Sequence, residues 1–222
     1  MIKMVAVLQR RPDLGVEAFQ QYWREQHAPL VVRLPGLRRY VQSHTLLSGY
    51  RRQQPAADGV AELWFDDTTA LRALTGTAEL AAVEADETHF IAPGGQVRVH
   101  TEEYVIKDGP VPVGGVKNIE FVRKRGDLDV AAFQRYWREV HGPLGASIET
   151  VLRYVQCHTR AGAHGRAIPP PYDGFALTWF RDTAAMRESA RSPQYAATRA
   201  DEDNFLSVPL DFIITREHVI VG

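Results

Sequence analysis

The chain has 222 residues, 45% hydrophobic and 24% charged, with 26 basic side chains against 27 acidic ones and a formal net charge of −1. That balance offers no basic excess to attract a phosphate backbone, so nucleic acid is not expected as a partner. The lone Cys157 cannot form an internal disulfide and suits a reducing cytoplasm, and no stretch approaches the roughly 18 apolar residues that a membrane span needs.

Residues 2–10, IKMVAVLQR, form an apolar, β-rich run broken by Gln9 and followed by arginine, which reads as a first strand rather than a signal peptide. A helix is predicted from Gly15. Phe19, Tyr22, Trp23, Gln26, His27, Leu30, Val31 and Leu34 recur at the i, i+3, i+4, i+7 spacing of a one-sided stripe. Pro29 lacks an amide hydrogen, so the Glu25 carbonyl loses its helical partner and the helix is expected to bend there. RRYVQSHTLL (38–47) and GVAELWF (59–65) read as strands, a second helix spans 67–90, and QVRVHTEEYVI (96–106) reads as a fourth strand. The Gly/Pro stretch DGPVPVGG (108–115) then reads as a linker.

After the linker the pattern starts again. AFQQYWREQHAPL (18–30) returns as AFQRYWREVHGPL (132–144), an offset of 114 residues that carries Phe19 onto Phe133, Trp23 onto Trp137 and His27 onto His141. The offset persists through RYVQSHT and RYVQCHT, where His44 maps to His158, and then becomes 115, carrying Asp86 onto Asp201 and Phe90 onto Phe205. So many matches at nearly one offset mean an internal duplication. In the second copy the first helix is expected to begin near Asp129, and Ser192-Pro193 reads as an N-cap and first helical residue. Two irregular segments, 46–59 and 160–174, sit at matched positions and are candidate lids. The copies also differ: Ala6 stands opposite Glu120, His89 opposite Asn204, and His100 opposite Thr215.

The order β-α-β-β-α-β is the split-βαβ, ferredoxin-like arrangement, with both helices on one sheet face and an apolar face left over. The expected fold is α+β, with two ferredoxin-like βαββαβ units at 1–107 and 116–222. Their antiparallel sheets are expected to pack into an intramolecular, pseudo-dimeric α/β barrel. That makes the chain a monomer with an internal pseudo-dimer, or a homodimer of it.

Four histidines and two aspartates are the candidates for chemistry. His27 and His141 lie four residues after a tryptophan, on the buried stripe, where an imidazole needs a hydrogen-bond partner. Asp86 and Asp201 fall near the C-terminal end of the second helix, at the same end of the sheet, where the helix dipole disfavours a carboxylate. His27–Asp86 and His141–Asp201 pairs are therefore expected, and the carboxylate is expected to raise the histidine pKa and fix its tautomer. Along the strand, Tyr40, Gln42 and His44 share one face, with Val41 and Ser43 on the other. Tyr, Gln and His together suit a small polar-lined pocket. Satisfied core histidines and a solvent-facing edge strand fit the same patterns, and those readings stay open. The histidines lack metal-ligand spacing, Cys157 has no activating base on its strand face, and no nucleotide-binding loop is present.

The string F-x-x-Y-W-x-x-x-H-x-P-L, the R-Y-V-Q strand and the D-E-x-x-F helix end resemble the EthD family of the dimeric α/β-barrel superfamily, and both halves match. That resemblance implies small, cofactor-free enzymes: cyclases, lactone isomerases, anthrone-type dehydratases or decarboxylases, and quinone-forming monooxygenases. It also implies a pocket between sheet and helices in each unit, shared by His27 with His44 and by His141 with His158. Tyr22, Trp23, Tyr40, Tyr136, Trp137 and Tyr154 are the aromatic candidates for lining it. The leading expectation is a cofactor-independent lyase or isomerase acting on a small hydrophobic, aromatic or polyketide-like substrate. The helix histidines would be general base or acid, and the strand histidines second acid or oxyanion donor. An oxidoreductase or accessory of an oxidative pathway, and a non-catalytic binding module, are the alternatives.

Overall fold

The computed structural model describes residues 1–222. In chain order the elements of the first copy are β1 (Ile2–Arg10), α1 (Val16–Tyr22), a π-helical turn (Trp23–His27), α2 (Ala28–Val31), β2 (Leu37–Thr45), β3 (Gly59–Phe65), α3 (Thr68–Arg72), α4 (Ala78–Glu87) and β4 (Ile91–Lys107). The second copy repeats them, with one short α-helix added between its second and third strands, as β5 (Val116–Val122), α5 (Val130–Tyr136), a π-helical turn (Trp137–His141), α6 (Gly142–Ala146), β6 (Arg153–Thr159), α7 (Ala161–His164), β7 (Gly174–Phe180), α8 (Thr183–Ser189), α9 (Pro193–Asp201) and β8 (Asp211–Val221).

Each copy has the ferredoxin-like strand order. The first reads β4-β1-β3-β2 and the second β8-β5-β7-β6. β3 pairs antiparallel with both β1 and β2, and β7 with both β5 and β6. Followed along all its hydrogen bonds the order is β1-β3-β2-β8-β5-β7-β6-β4, that of a closed barrel. The chain forms two compact units, Met1–His100 with Glu217–Gly222, and Thr101–Arg216. The long strands are thus divided: the end of β4 belongs to the second unit and the end of β8 to the first. No helix is long and apolar enough to cross a membrane.

The helix starts follow their caps. Gly15 and Asp129 are the N-caps of α1 and α5, and Ser192 caps α9 by accepting from the Tyr195 amide, with Pro193 in the first turn. The region 67–90 is not one helix. Asp67 caps α3, the chain turns at Gly76 (φ 83°), and Thr77 caps α4. A positive φ that glycine adopts without strain ends the first piece before the second begins.

In the first unit, Phe19, Trp23, Ala28, Val31 and Leu34 from the helices pack on Ile2, Ala6, Leu8, Tyr40, Leu63 and Phe65. The opposite sheet face is buried but not purely apolar, contrary to expectation. Lys3 and Glu62, each 1% exposed, form an ion pair at 2.6 Å, and the Lys3 ammonium stands 4.5 Å from the Trp64 ring centroid. Two buried charges persist here because each is the other's partner.

Gly59 and Gly174 let the tryptophans in. A Cβ at Gly59 would sit 2.5 Å from Trp23 Cζ3 and 2.9 Å from the Ser43 carbonyl oxygen, and one at Gly174 would sit 2.5 Å from Trp137 Cζ3. Gly59→Ala is expected to destabilise the chain by about 1–3 kcal/mol through overpacking, seen as a lower urea midpoint at unchanged m-value. Gly126→Ala, where an added Cβ meets nothing within 4 Å, should stay within about 0.5 kcal/mol of the parent. Equal effects at the two positions would refute this account of the tryptophan seat.

Candidate functional site

Each π-helical turn begins at a tryptophan and ends at a histidine. Pro29 and Pro143 follow two residues later, where an α-helical ladder cannot continue unchanged. The helix responds by widening: the Ala28 amide bonds the Trp23 carbonyl, and Gly142 does the same to Trp137. The bend expected near Glu25 is therefore a π turn, a feature common at functional sites.

From the end of this turn His27 reaches Asp86 on α4, with Nδ1 2.7 Å from Oδ2. Tyr22 donates its hydroxyl to the other carboxylate oxygen at 2.8 Å. The second unit repeats the set. His141 Nδ1 lies 2.9 Å from Asp201 Oδ2, and Tyr136 donates to Asp201 Oδ1 at 2.7 Å. Asn204 Nδ2 adds a third bond to that carboxylate at 3.0 Å, whereas its counterpart His89 stays 3.7 Å from Asp86 Oδ1. These bonds offset the unfavourable position of a carboxylate at a helix C-terminus.

Burial lowers the pKa of both helix histidines, and the adjacent aspartate only partly restores it. The net shift is opposite to the sequence expectation, because desolvation of a ring packed against Phe90 or Phe205 outweighs the carboxylate. Burial pushes Asp201 up, but the bonds from Tyr136, Asn204 and His141 prevail and hold it low.

The strand residues form a separate relay. Gln42 Nε2 donates to the Trp23 carbonyl at 3.0 Å and to the Tyr40 hydroxyl oxygen at 2.7 Å. Trp23 Nε1 donates to the same oxygen at 3.2 Å. With both amide hydrogens spent, Gln42 Oε1 is left as acceptor, and it faces His44 Nε2 at 2.9 Å. The His44 proton therefore sits on Nε2 and its lone pair on Nδ1. The ring stacks on Trp23 at 4.5 Å and meets His218 at 4.6 Å. In the second unit Gln156, Tyr154, Trp137 and His158 repeat the relay, with donor–acceptor distances of 2.9–3.3 Å, and Tyr104 lies 4.8 Å from His158. Burial drives both strand histidines down to about 3.

The structure thus joins His27 to Asp86 and Tyr22, and His44 to Tyr40 and Trp23, with the same grouping in the other unit. The helix and strand histidines make no hydrogen bond to each other. Trp23, which heads the turn that His27 ends, carries the stacked His44 ring. The expected role of His44 and His158 as oxyanion donors does not fit their tautomer, since their one hydrogen is committed to a glutamine. The donor left in each relay is the tyrosine hydroxyl. Its oxygen accepts two N–H bonds, so its own hydrogen points elsewhere. Gln42, Gln156, Tyr104, Asn204 and His218 were not singled out as site residues from sequence. The two glutamines lie on the flagged strand face, while Tyr104 and His218 come from final strands whose pattern gives no signal.

Against known proteins, the family model described as "EthD domain" matches twice, over residues 11–94 and 125–209. No curated protein sequence matches significantly. Among solved structures, an anthrone oxidase-like protein aligns over 100% of this chain and 93% of its own, with a TM-score of 0.67 and 8% identity. A candidate monooxygenase from Lactobacillus acidophilus aligns over 98% and 94%, with a TM-score of 0.59 and 12% identity. An ethyl tert-butyl ether d (EthD) family protein from Bacillus halodurans is 26% identical over 47% of this chain and 99% of its own, with a TM-score of 0.39. Each half carries the Trp–His–Pro turn inside a matched segment, and the chain belongs to the EthD family with two copies of its domain.

Proposed function

We propose that the chain is a cofactor-independent acid–base enzyme, a lyase or isomerase acting on a small hydrophobic, aromatic or polyketide-like substrate. The carrying observation is the aspartate–histidine pair built identically at the end of both π turns. Asp86 accepts the Nδ1 hydrogen of His27, which leaves the Nε2 lone pair for a substrate proton. A ring with a lowered pKa is neutral at pH 7 and ready to act as base. Tyr40 or Tyr154 then supplies the O–H donor to the oxygen on which charge develops, in a water-poor interior where such a bond counts most. Proton removal next to a carbonyl or from an enol, followed by reprotonation or loss of water, needs no other group. Tyr22 and Tyr136 position the carboxylate.

The fold relatives described as a monooxygenase candidate and an anthrone oxidase-like protein favour a second reading. A deprotonated phenol or hydroquinone, made by the same base, reacts with oxygen instead of eliminating. Oxygen consumption with an anthrone or hydroquinone substrate separates the two.

With a confirmed substrate, His27→Ala together with His141→Ala is expected to lower kcat by about 10²–10⁴-fold, and the single variants show which copy turns over. Unchanged turnover in the double variant removes the dyads from the mechanism. Asp86→Asn and Asp201→Asn should retain substrate binding while kcat falls, because the asparagine no longer fixes the tautomer.

The strand histidines make a prediction about stability. Their folded pKa of about 3 lies below the unfolded value of about 6.5, so the unfolded chain takes the proton first. Their contribution is intact above pH ~6.5 and is lost as pH falls toward ~3, at about 1.4 kcal/mol per pH unit for each ring. Urea titrations at pH 6 and pH 5 should show a shallower pH slope for a His44→Phe, His158→Phe double variant. An identical slope would mean that these rings titrate alike folded and unfolded.

A further inference from the structure

We propose that the Nδ1 lone pair of His158 is the acceptor end of a ligand subsite in the second unit, one that takes an uncharged O–H donor of the phenol or enol class. The inference rests on the acid–base reading above and says which copy holds substrate and by which atom.

His158 is 2% exposed, and its Nδ1 is buried without a hydrogen-bond partner. The relay settles what that atom can do. Gln156 spends both amide hydrogens on the Trp137 carbonyl and the Tyr154 oxygen, each at 2.9 Å, so its Oε1 must accept from His158 Nε2. Nδ1 is therefore a bare acceptor, and a buried acceptor left unmet costs about 1–3 kcal/mol. Such an atom on a ring fixed by a tryptophan stack at 4.4 Å and a glutamine bond is a preorganised contact awaiting a donor.

The surroundings narrow the donor. The Arg138 guanidinium lies 5.1 Å from the Tyr104 ring, which itself lies 4.8 Å from His158, and Arg138 also pushes the His158 pKa down. A charged donor would lose its hydration at so fully buried a nitrogen. A phenol or enol hydroxyl meets the acceptor without bringing a charge, and the Arg138 guanidinium is itself paired with Glu139 at 2.9 Å. The Tyr104 and Trp137 rings supply the aromatic surroundings that a planar ligand fits.

The first unit differs where this matters. His44 has the same relay, but His218 lies 4.6 Å from it, ring to ring, in the place that Tyr104 takes beside His158. An imidazole rather than a phenol ring therefore flanks His44, and of the two strand histidines only His158 has a fully buried Nδ1 without a partner. The orphaned acceptor belongs to the second copy.

The test uses the full chain with 15N-labelled histidine, titrated with phenol and with anisole, which has the same ring but no O–H. Phenol is expected to move the His158 Nδ1 resonance and leave His44 unmoved, anisole to move neither, and His158→Phe to weaken phenol binding about tenfold while His44→Phe leaves it unchanged. The inference is overturned by equal effects of anisole, by phenol reporting at His44 instead, by unaltered affinity in His158→Phe, or by a Nδ1 resonance already hydrogen-bonded to water and indifferent to phenol. The phenol–anisole comparison needs no variant, so misfolding of His158→Phe does not leave the question open. Repeating it in the His27→Ala, His141→Ala protein separates the two proposals: binding retained without turnover implicates the dyads in chemistry, and binding lost at intact turnover refutes the subsite alone.

Discussion

Everything at the site hangs on a proline two residues past a histidine. Pro29 and Pro143 deny the helix an amide hydrogen, and the chain meets that loss by opening one wide turn instead of ending the helix. The turn leaves the tryptophan carbonyl accepting both a backbone amide and the glutamine side chain. It also sends the tryptophan ring toward the sheet and the histidine toward α4 or α9. Gly59 and Gly174 are the matching concession on the strand side, where only a hydrogen leaves room for the indole. One missing hydrogen bond thus organises a helix, two strands and both histidine environments.

The two kinds of histidine are equally buried but differently partnered, and the partner decides the chemistry. A carboxylate on Nδ1 stabilises the imidazolium that forms when the ring takes a proton, so His27 and His141 are fit for proton transfer. An amide carbonyl on Nε2 offers no such compensation, and His44 and His158 sink to about 3. They remain neutral through any ordinary working range and act as fixed hydrogen-bonding surfaces. Burial alone would have treated all four alike.

Much of this was legible in the residues. The duplicated string predicts the doubled ferredoxin-like fold, and the pairing of His27 with Asp86 follows from helix spacing plus the cost of a carboxylate at a helix C-terminus. The grouping of Tyr40, Gln42 and His44 follows from strand alternation. What the sequence hides are consequences of counting hydrogens in three dimensions. Proline predicts a disrupted helix but not whether it kinks, ends or widens. A strand face shows that Gln42 and His44 are neighbours, yet only the contact with the Trp23 carbonyl shows which way the amide points and hence which nitrogen carries the proton. The sign of the His27 pKa shift depends on desolvation against Phe90, a packing term invisible to residue spacing. Lys3 and Glu62 escape a reading by hydrophobic pattern because their burial rests on an ion pair that pairs residues from two different strands.

The differences between the copies lie around the shared machinery, not in it. In the first unit Glu87 pairs with Arg98 from β4 at 2.6 Å. In the second, the corresponding Glu202 pairs with Arg199 from its own helix at 2.7 Å and faces Glu120, which stands where the first copy has Ala6. Burial and then Glu120 raise Glu202 to about 7, and burial raises Glu120 as well. Burial, and after it both carboxyls, raises the pKa of the Tyr154 hydroxyl, while burial, and after it Arg199, lowers that of His141. Near neutral pH, a proton entering or leaving this carboxyl pair changes the field on the same tyrosine that closes the second relay. The first copy, with alanine in place of Glu120, has no such pair. The two dyads thus stand in unlike fields, and duplication has kept one architecture while giving it two electrostatic settings.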